Sequence, residues 1–221
     1  TDRLIQRRSK SEKPEFEYNC DLIRRFAQDW HIPLPEQPDP PFLAFDASSL
    51  GQLRYQCQRK YGFADSDRLL LVHPGSGGSA ANLNPSAYAQ LIDAIDAPDV
   101  FVLVTSGPGE SCIAAEVVRG VRRQCVARHD SSDGLIAFAK LIAISHVFIS
   151  GSTGPLHIAG ALNGRTVGFY PNRRSSTALR WQTTNQSERR LAFSPPLGAG
   201  ESDMEQIHPY EAAVVISRAF L

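Results

Sequence analysis

The residues with the clearest chemical potential form one run, Gly151-Ser152-Thr153-Gly154-Pro155-Leu156-His157, directly after the apolar stretch Val147–Ser150. Glycines let backbone N–H groups approach a ligand closely. Thr153 suits the cap of a helix and Pro155 its first turn, where no intrahelical donor is lost. Unpaired amides at such a helix start, together with the helix dipole, present positive potential to an anion. His157 falls one turn in, from where its ring could donate a hydrogen bond to a phosphate oxygen. The same residues equally describe a well-capped helix start with a packed histidine, and the run by itself leaves both readings open.

Two further loops are rich in small or hydroxyl residues. His73-Pro74-Gly75-Ser76-Gly77-Gly78-Ser79 resembles an anion-cradling turn, yet it lacks the spacing of a P-loop and of the dinucleotide fingerprint. Ser106-Gly107-Pro108-Gly109-Glu110 ends in a carboxylate that could accept hydrogen bonds from ribose hydroxyls, or simply favour the dipole of its own helix. No nucleophile elbow, zinc-protease motif or Cys/His cluster is present. His129, Asp130 and His146 read as surface or structural residues, and His208-Pro209 as a turn. Trp181, beside Arg180, could stack on a flat group or be half-buried in a long loop.

The elements that must position these loops follow from periodicity. Apolar strands are expected at Leu69–His73, Val100–Thr105, Gln124–Arg128, His146–Ser150 and Thr166–Tyr170, with one more at Arg190–Phe193. Between them lie helical patterns from about Pro85 to Ile95, Glu110 to Gly120, Asp133 to Ile144 and Thr153 to Asn163, the third preceded by Ser131-Ser132-Asp133 as its cap. A closing amphipathic helix spans Pro209–Leu221 with Ala212, Val215, Ile216 and Phe220 inward. Strands that alternate with three-turn helices predict an α/β fold, a Rossmann-like parallel sheet flanked by helices, which binds ligands at the carboxyl ends of its strands. Upstream, residues 1–14 are charged and aperiodic, a helix is expected over Tyr18–Trp30, and Pro33–Pro41 is proline-dense. A weaker helical pattern runs from about Ser48 to Tyr61. The expected division is a charged tether, helix and Pro-rich connector over residues 1–45, then one Rossmann-like domain over 46–221.

Composition narrows the function. The 221 residues carry 23 Lys+Arg and 23 Asp+Glu, a formal net charge of zero, which excludes a wholesale electrostatic grip on nucleic acid. The second half is nonetheless rich in arginine, suiting a phosphorylated ligand or a solvated face. The four cysteines lack metal-type spacing, so no metal site is expected. Cys112 and Cys125 fall in apolar patterns where buried, reduced thiols are usual, which points to a cytoplasmic compartment. No run is long enough to span a membrane and no signal peptide is visible, so membrane contact would be peripheral. The start at Thr1-Asp2-Arg3, with Met204 the only methionine, reads as part of a larger chain.

The combination of His73-Pro74-Gly75, Gly107-Pro108-Gly109-Glu110 and above all Ser152-Thr153-Gly154-Pro155-Leu156-His157-Ile158-Ala159 resembles glycosyltransferase family 9, the ADP-heptose:lipopolysaccharide heptosyltransferases. Arg165-Thr166-Val167-Gly168-Phe169-Tyr170 and Arg180-Trp181 continue the pattern in order. The resemblance covers about residues 69–221, and residues 1–45 look like the family's lobe-connecting region. It implies the carboxyl-terminal half of a two-lobed GT-B enzyme that holds the nucleotide-sugar donor. It further implies that Ser152, Thr153, Gly154 and His157 line the donor diphosphate and sugar, that Glu110 contacts the nucleoside, and that the loop of Ser76, Gly77, Gly78 and Ser79 closes over the phosphates. Heptose or a related sugar would pass from an ADP-activated donor to a lipopolysaccharide core or lipid-linked glycan acceptor, with inversion, no cofactor and no obligatory metal. The general base would belong to the amino-terminal lobe, outside this chain, leaving no catalytic residue assigned here and the chain alone inactive. Contact with the inner membrane would be peripheral.

Two features depart from the family pattern. Ser152 stands where an aspartate is common, and Ala81-Asn82-Leu83-Asn84 lacks the usual basic residue, for which Arg173 or Arg174 is a candidate substitute. A missing cationic contact costs about 1.5–3 kcal/mol of binding. Two alternatives therefore stand: a lobe that binds nucleotide sugar without transferring it, and another enzyme of similar lobe design such as a sugar-nucleotide epimerase.

Overall fold

The computed structural model describes residues 4–34, 39–78 and 81–221. Six parallel strands form one sheet: β1 (Arg68–His73), β2 (Val100–Ser106), β3 (Val126–Asp130), β4 (Val147–Gly151), β5 (Arg165–Phe169) and β6 (Arg190–Phe193). Their spatial order is β3-β2-β1-β4-β5-β6. Seven α-helices accompany them: α1 (Glu15–Asp29), α2 (Ala47–Tyr61), α3 (Pro85–Ala94), α4 (Ser111–Gly120), α5 (Gly134–Ala143), α6 (Gly154–Ala161) and α7 (Pro209–Phe220).

The strands are apolar on both sides because both faces are covered. Leu70 and Val72 of β1 pack with Leu91, Ile92, Ala114, Val117 and Ile216 from α3, α4 and α7. Leu69 and Leu71 point the other way, toward Cys57, Phe138, Leu141 and Leu156 from α2, α5 and α6. All four β1 side chains are fully buried, each contributing ~1.5–3 kcal/mol relative to exposure. The expected α/β Rossmann-like architecture is the one found, with most element ends within about two residues of expectation, the usual fraying of boundaries.

Some expectations fail for physical reasons. Cys112 and Cys125 are exposed, and Cys57 is the buried thiol, its pKa pushed up by burial. Cys112 sits in the first turn of α4, and Cys125 immediately precedes β3, whose outer edge no strand covers. The expected strand at Gln124–Arg128 lies two residues later for the same reason: an edge strand tolerates Arg128 and Asp130. Val215 of α7 is exposed and Ala213 is buried in its place. On α1, Tyr18 and Ala27 are buried, while Leu22, Ile23 and Phe26, with Trp30 just past its end, face outward.

Residues before the first strand are fastened to the domain. The Phe42 and Leu43 amides donate to Ala161 O at 2.7 and 3.0 Å. The Glu15 amide donates to Arg180 O at 2.8 Å, and Ser11 Oγ to Arg174 O at 2.5 Å. Among the described residues no helix is long and apolar enough to cross a membrane.

Candidate functional site

The strand order reverses direction at β1 and β4, which are neighbours in the sheet although β2 and β3 intervene in the chain. At such a switch point the connections leave on opposite faces, and a crevice opens beyond the carboxyl ends of the strands. A cavity of about 420 Å³ occupies this position. Loops following β1, β2, β3 and β4 all contribute to it: His73, Gly75, Ser76 and Gly77; Gly107, Pro108 and Glu110; Ser131, Ser132, Gly134, Leu135 and Phe138; Thr153, Gly154 and Pro155. No lysine or arginine lines it among the described residues.

The helix starts around the cavity are open. Asn84 caps α3 in the ordinary way, its side chain accepting from the Ala87 amide at 2.8 Å. No side chain caps α4, α5 or α6. Thr153 occupies the cap position of α6, yet its hydroxyl pairs with Ser150 Oγ at 3.0 Å instead. The Ser152 amide donates to Phe169 O at 3.1 Å. Among the described residues the Thr153 and Gly154 amides take no protein acceptor, so both remain for an anion. A Cβ built on Gly154 would meet nothing within 4 Å, which shows how open this turn is.

Glu110 is turned into the first loop. Its Oε1 accepts from the Gly77 amide at 2.6 Å, and Oε2 lies 3.9 Å from His73 Nε2. Gly75 permits this approach, because a Cβ there would stand 2.0 Å from Glu110 Oε2. Gly77 takes a left-handed φ of +55°, which glycine adopts without strain. His73 is buried, its Nδ1 3.0 Å from Thr105 Oγ1 and its ring 5.3 Å from that of Phe138. Burial pushes its pKa below the ordinary histidine value, against the opposing pull of the Glu110 carboxylate.

Asn82 ties the first loop to the fourth. Its Nδ2 donates to Pro74 O at 2.8 Å, and its Oδ1 accepts from Tyr88 Oη at 2.7 Å. The Gly151 amide lies near the Tyr88 hydroxyl and opposes the burial that raises its pKa. Gly151 must lack a side chain, since a Cβ would lie 2.6 Å from Asn82 Oδ1. The cavity's far wall is apolar: Leu135 is 64% exposed and Phe138 lies beneath it. Beside them the Ser131 hydroxyl is buried without a partner. A phosphate-sized anion against α6 and a flat apolar group against Leu135 would fit the same cavity.

The sequence matches the model for glycosyltransferase family 9 (heptosyltransferase) over residues 6–192. The chain belongs to glycosyltransferase family 9. A Haemophilus influenzae protein named as a candidate glycosyltransferase is 46% identical over 203 residues, covering 91% of this chain and 58% of the relative. The structure of a family 9 glycosyl transferase from Veillonella parvula superposes with a TM-score of 0.77 at 12% identity, covering 99% of this chain and 62% of that one. The E. coli ADP-heptose lps heptosyltransferase II gives 0.69 at 18% identity, with 88% and 56% covered. Likeness at such identities is one of fold, that of a Rossmann-like lobe in the GT-B glycosyltransferases. This chain spans somewhat more than half the length of these relatives.

Within this family 9 lobe, Ser76, Gly77, Glu110, Thr153 and Gly154 come together on the cavity wall. Gly78 and Ser152 border it without lining it, and Ser79 lies outside the described residues. His157 also stands off the lining; its ring packs edge-on against Trp181, centroids 6.0 Å apart at 64°. Burial lowers its pKa. Arg173 and Arg174 are exposed and do not line the cavity. Sequence reasoning passed over Asn82, Ser131, Leu135 and Phe138. A usable signal existed for Leu135: two large apolar residues, Leu135 and Ile136, open a helix next to a serine-rich turn, and both are exposed.

Proposed function

We propose that the chain is the donor-binding lobe of an inverting glycosyltransferase that moves heptose, or a related sugar, from an ADP-activated donor onto a lipopolysaccharide core acceptor. One observation carries this reading: the uncapped start of α6, with the Thr153 and Gly154 amides unpaired, faces a cavity at the switch point of a family 9 sheet. The donor diphosphate would lie against those amides, with His157 one turn behind and Ser152 at the sugar. The adenine would lie on Leu135 and Phe138, and the ribose would be held by Glu110 once that carboxylate leaves Gly77. In the transfer, an acceptor hydroxyl oxygen bonds to the anomeric carbon as the bond from that carbon to the diphosphate oxygen breaks. The hydroxyl proton passes to a base outside this chain, and the electron pair stays on the leaving ADP, whose growing charge the α6 amides stabilise. Work at the cytoplasmic face of the inner membrane fits such an acceptor.

The test is calorimetric and thermal. At a hundredfold excess over its Kd, ADP would stabilise the chain by ~2.7 kcal/mol, about 5–11 °C in Tm for this size. Tripolyphosphate or UDP at matched ionic strength should give far less. Leu135→Ala should weaken ADP about tenfold, the ~1.4 kcal/mol expected for losing part of an apolar platform. Equal shifts from every polyanion, or none from ADP, would overturn the reading.

A second reading has its own support. With no Lys or Arg on the cavity wall among the described residues and Ser152 in place of an acid, a lobe that binds nucleotide sugar without transferring it also fits. Turnover by the full-length protein with ADP-heptose and a truncated lipopolysaccharide acceptor would eliminate it.

A further inference from the structure

His157 makes no side-chain hydrogen bond among the described residues, so something other than polar contact must set its ring. Its ring meets that of Trp181 in the edge-to-face arrangement that aromatic pairs favour. Trp181 lies in a long connection between β5 and β6 that contains no regular helix or strand beyond single 3-10 turns. Such a segment cannot fix an indole by itself. Packing against the core beside Leu156 and Ala159 holds it, together with three further contacts: Trp181 Nε1 donates to Ser175 O at 2.9 Å, its amide donates to Thr177 O at 3.0 Å, and the Arg180 guanidinium stands 5.7 Å from the ring centroid.

Arg180 is itself held from the other end of the chain. Its Nε donates to Glu15 Oε2 at 3.1 Å, and its carbonyl accepts from the Glu15 amide at 2.8 Å. The remaining Glu15 oxygen accepts from Arg8 Nη1 at 2.6 Å. The Glu15 and Arg180 side chains are only 17% and 16% exposed, so the pair is well shielded from water. The Ser11 bond to Arg174 O gives the same loop a second tie to the same segment. A contiguous line of contacts thus runs from the first turn of α1 to the helix that opens the donor cavity.

We infer that Glu15, Arg180 and Trp181 are positioning residues for His157, so that the first turn of α1 sets the imidazole one helical turn behind the amides that would hold the donor's diphosphate. This rests on the donor-site reading above. None of the three residues touches the cavity, and His157 itself stands off its lining; they act through His157 and the first turn of α6. The arrangement makes donor binding sensitive to whatever moves α1, whose outward side carries Leu22, Ile23 and Phe26.

The experiment uses the nucleotide-free chain first. His157 imidazole signals are assigned in a proton–carbon correlation spectrum by their loss in His157→Asn. Trp181→Ala and Glu15→Ala should both shift them, Glu15→Gln less, and Trp181→Phe should keep them near the native position. Leu22→Ala, on the exposed side of α1, should leave them in place. ADP affinity should then fall about fivefold or more in the two alanine variants and recover in Trp181→Phe, a coupling of ordinary size between touching groups. Unmoved His157 signals in both alanine variants would overturn the inference, as would moved signals with ADP affinity unchanged. Should Trp181→Ala not fold, Arg180→Gln takes its place with the same expectations. If the native chain takes no ADP, the donor reading fails by that result alone, while the nucleotide-free spectra still decide whether α1 sets His157.

Discussion

Replacing Tyr88 by phenylalanine isolates one oxygen that joins two loops of the cavity. The side chain is fully buried, and its volume barely changes, so no void forms. The hydroxyl donates to Asn82 Oδ1 at 2.7 Å, and the Gly151 amide lies near enough to oppose the burial that raises its pKa. Asn82 Oδ1 keeps a second partner, the Leu83 amide at 2.9 Å, so its loss is partial. Gly151 is buried beside it and belongs to β4, paired with Phe169 of β5. Losing this one buried hydrogen bond costs about 0.5–1.5 kcal/mol. For a chain of this length each kcal/mol lowers Tm by about 2–4 °C, so a fall of about 2–4 °C is expected for the middle of that range. The functional consequence follows from geometry: with the link gone, the loop after β1 and the turn after β4 no longer share a strut, and ADP binding should weaken several-fold. Thermal melting by circular dichroism and titration calorimetry measure the two effects. A Tm within about 1 °C of native, together with native ADP affinity, would refute the claim that this hydroxyl carries the connection.

Two further predictions come from packing and from titration. Gly160→Ala places a Cβ 2.7 Å from Thr183 Cβ and 3.1 Å from the Thr184 amide. Overpacking of that kind costs about 1–3 kcal/mol, seen as a lower urea midpoint, whereas an unchanged midpoint would mean the 183–184 segment yields freely. His73, His129, His146 and His157 all have pKa values below the ordinary 6.5, burial being the leading cause for each. Below pH 6.5 the unfolded chain therefore binds more protons than the folded one, so stability is full above that pH and falls as pH drops through the window beneath it. Unfolding midpoints at about pH 7.5 and 5.5 should differ in that direction, and a flat or rising midpoint on acidification would contradict the assignment.

The sequence alone determined the class of fold and the location of the glycine- and hydroxyl-rich turns. Leu69–Val72 and Val100–Val104 are apolar on successive positions because both faces of a parallel sheet are covered, and that pattern is written locally. The Thr153–His157 turn is likewise local: its glycine, proline and cap position act within one helical turn. Tertiary structure decided what these turns face. Only the β3-β2-β1-β4-β5-β6 order brings Glu110, Gly77, Thr153 and Leu135 around one cavity. Only folding turned the Glu110 carboxylate toward Gly77 and the Thr153 hydroxyl toward Ser150, and joined Glu15 to Arg180. The outward side of α1 and the exposed thiols of Cys112 and Cys125 belong to the same category. Periodicity records that a face is apolar, because burial repeats with the pitch of the element. It carries no record of which distant side chain meets that face, since such contacts depend on how separate elements are arranged in space.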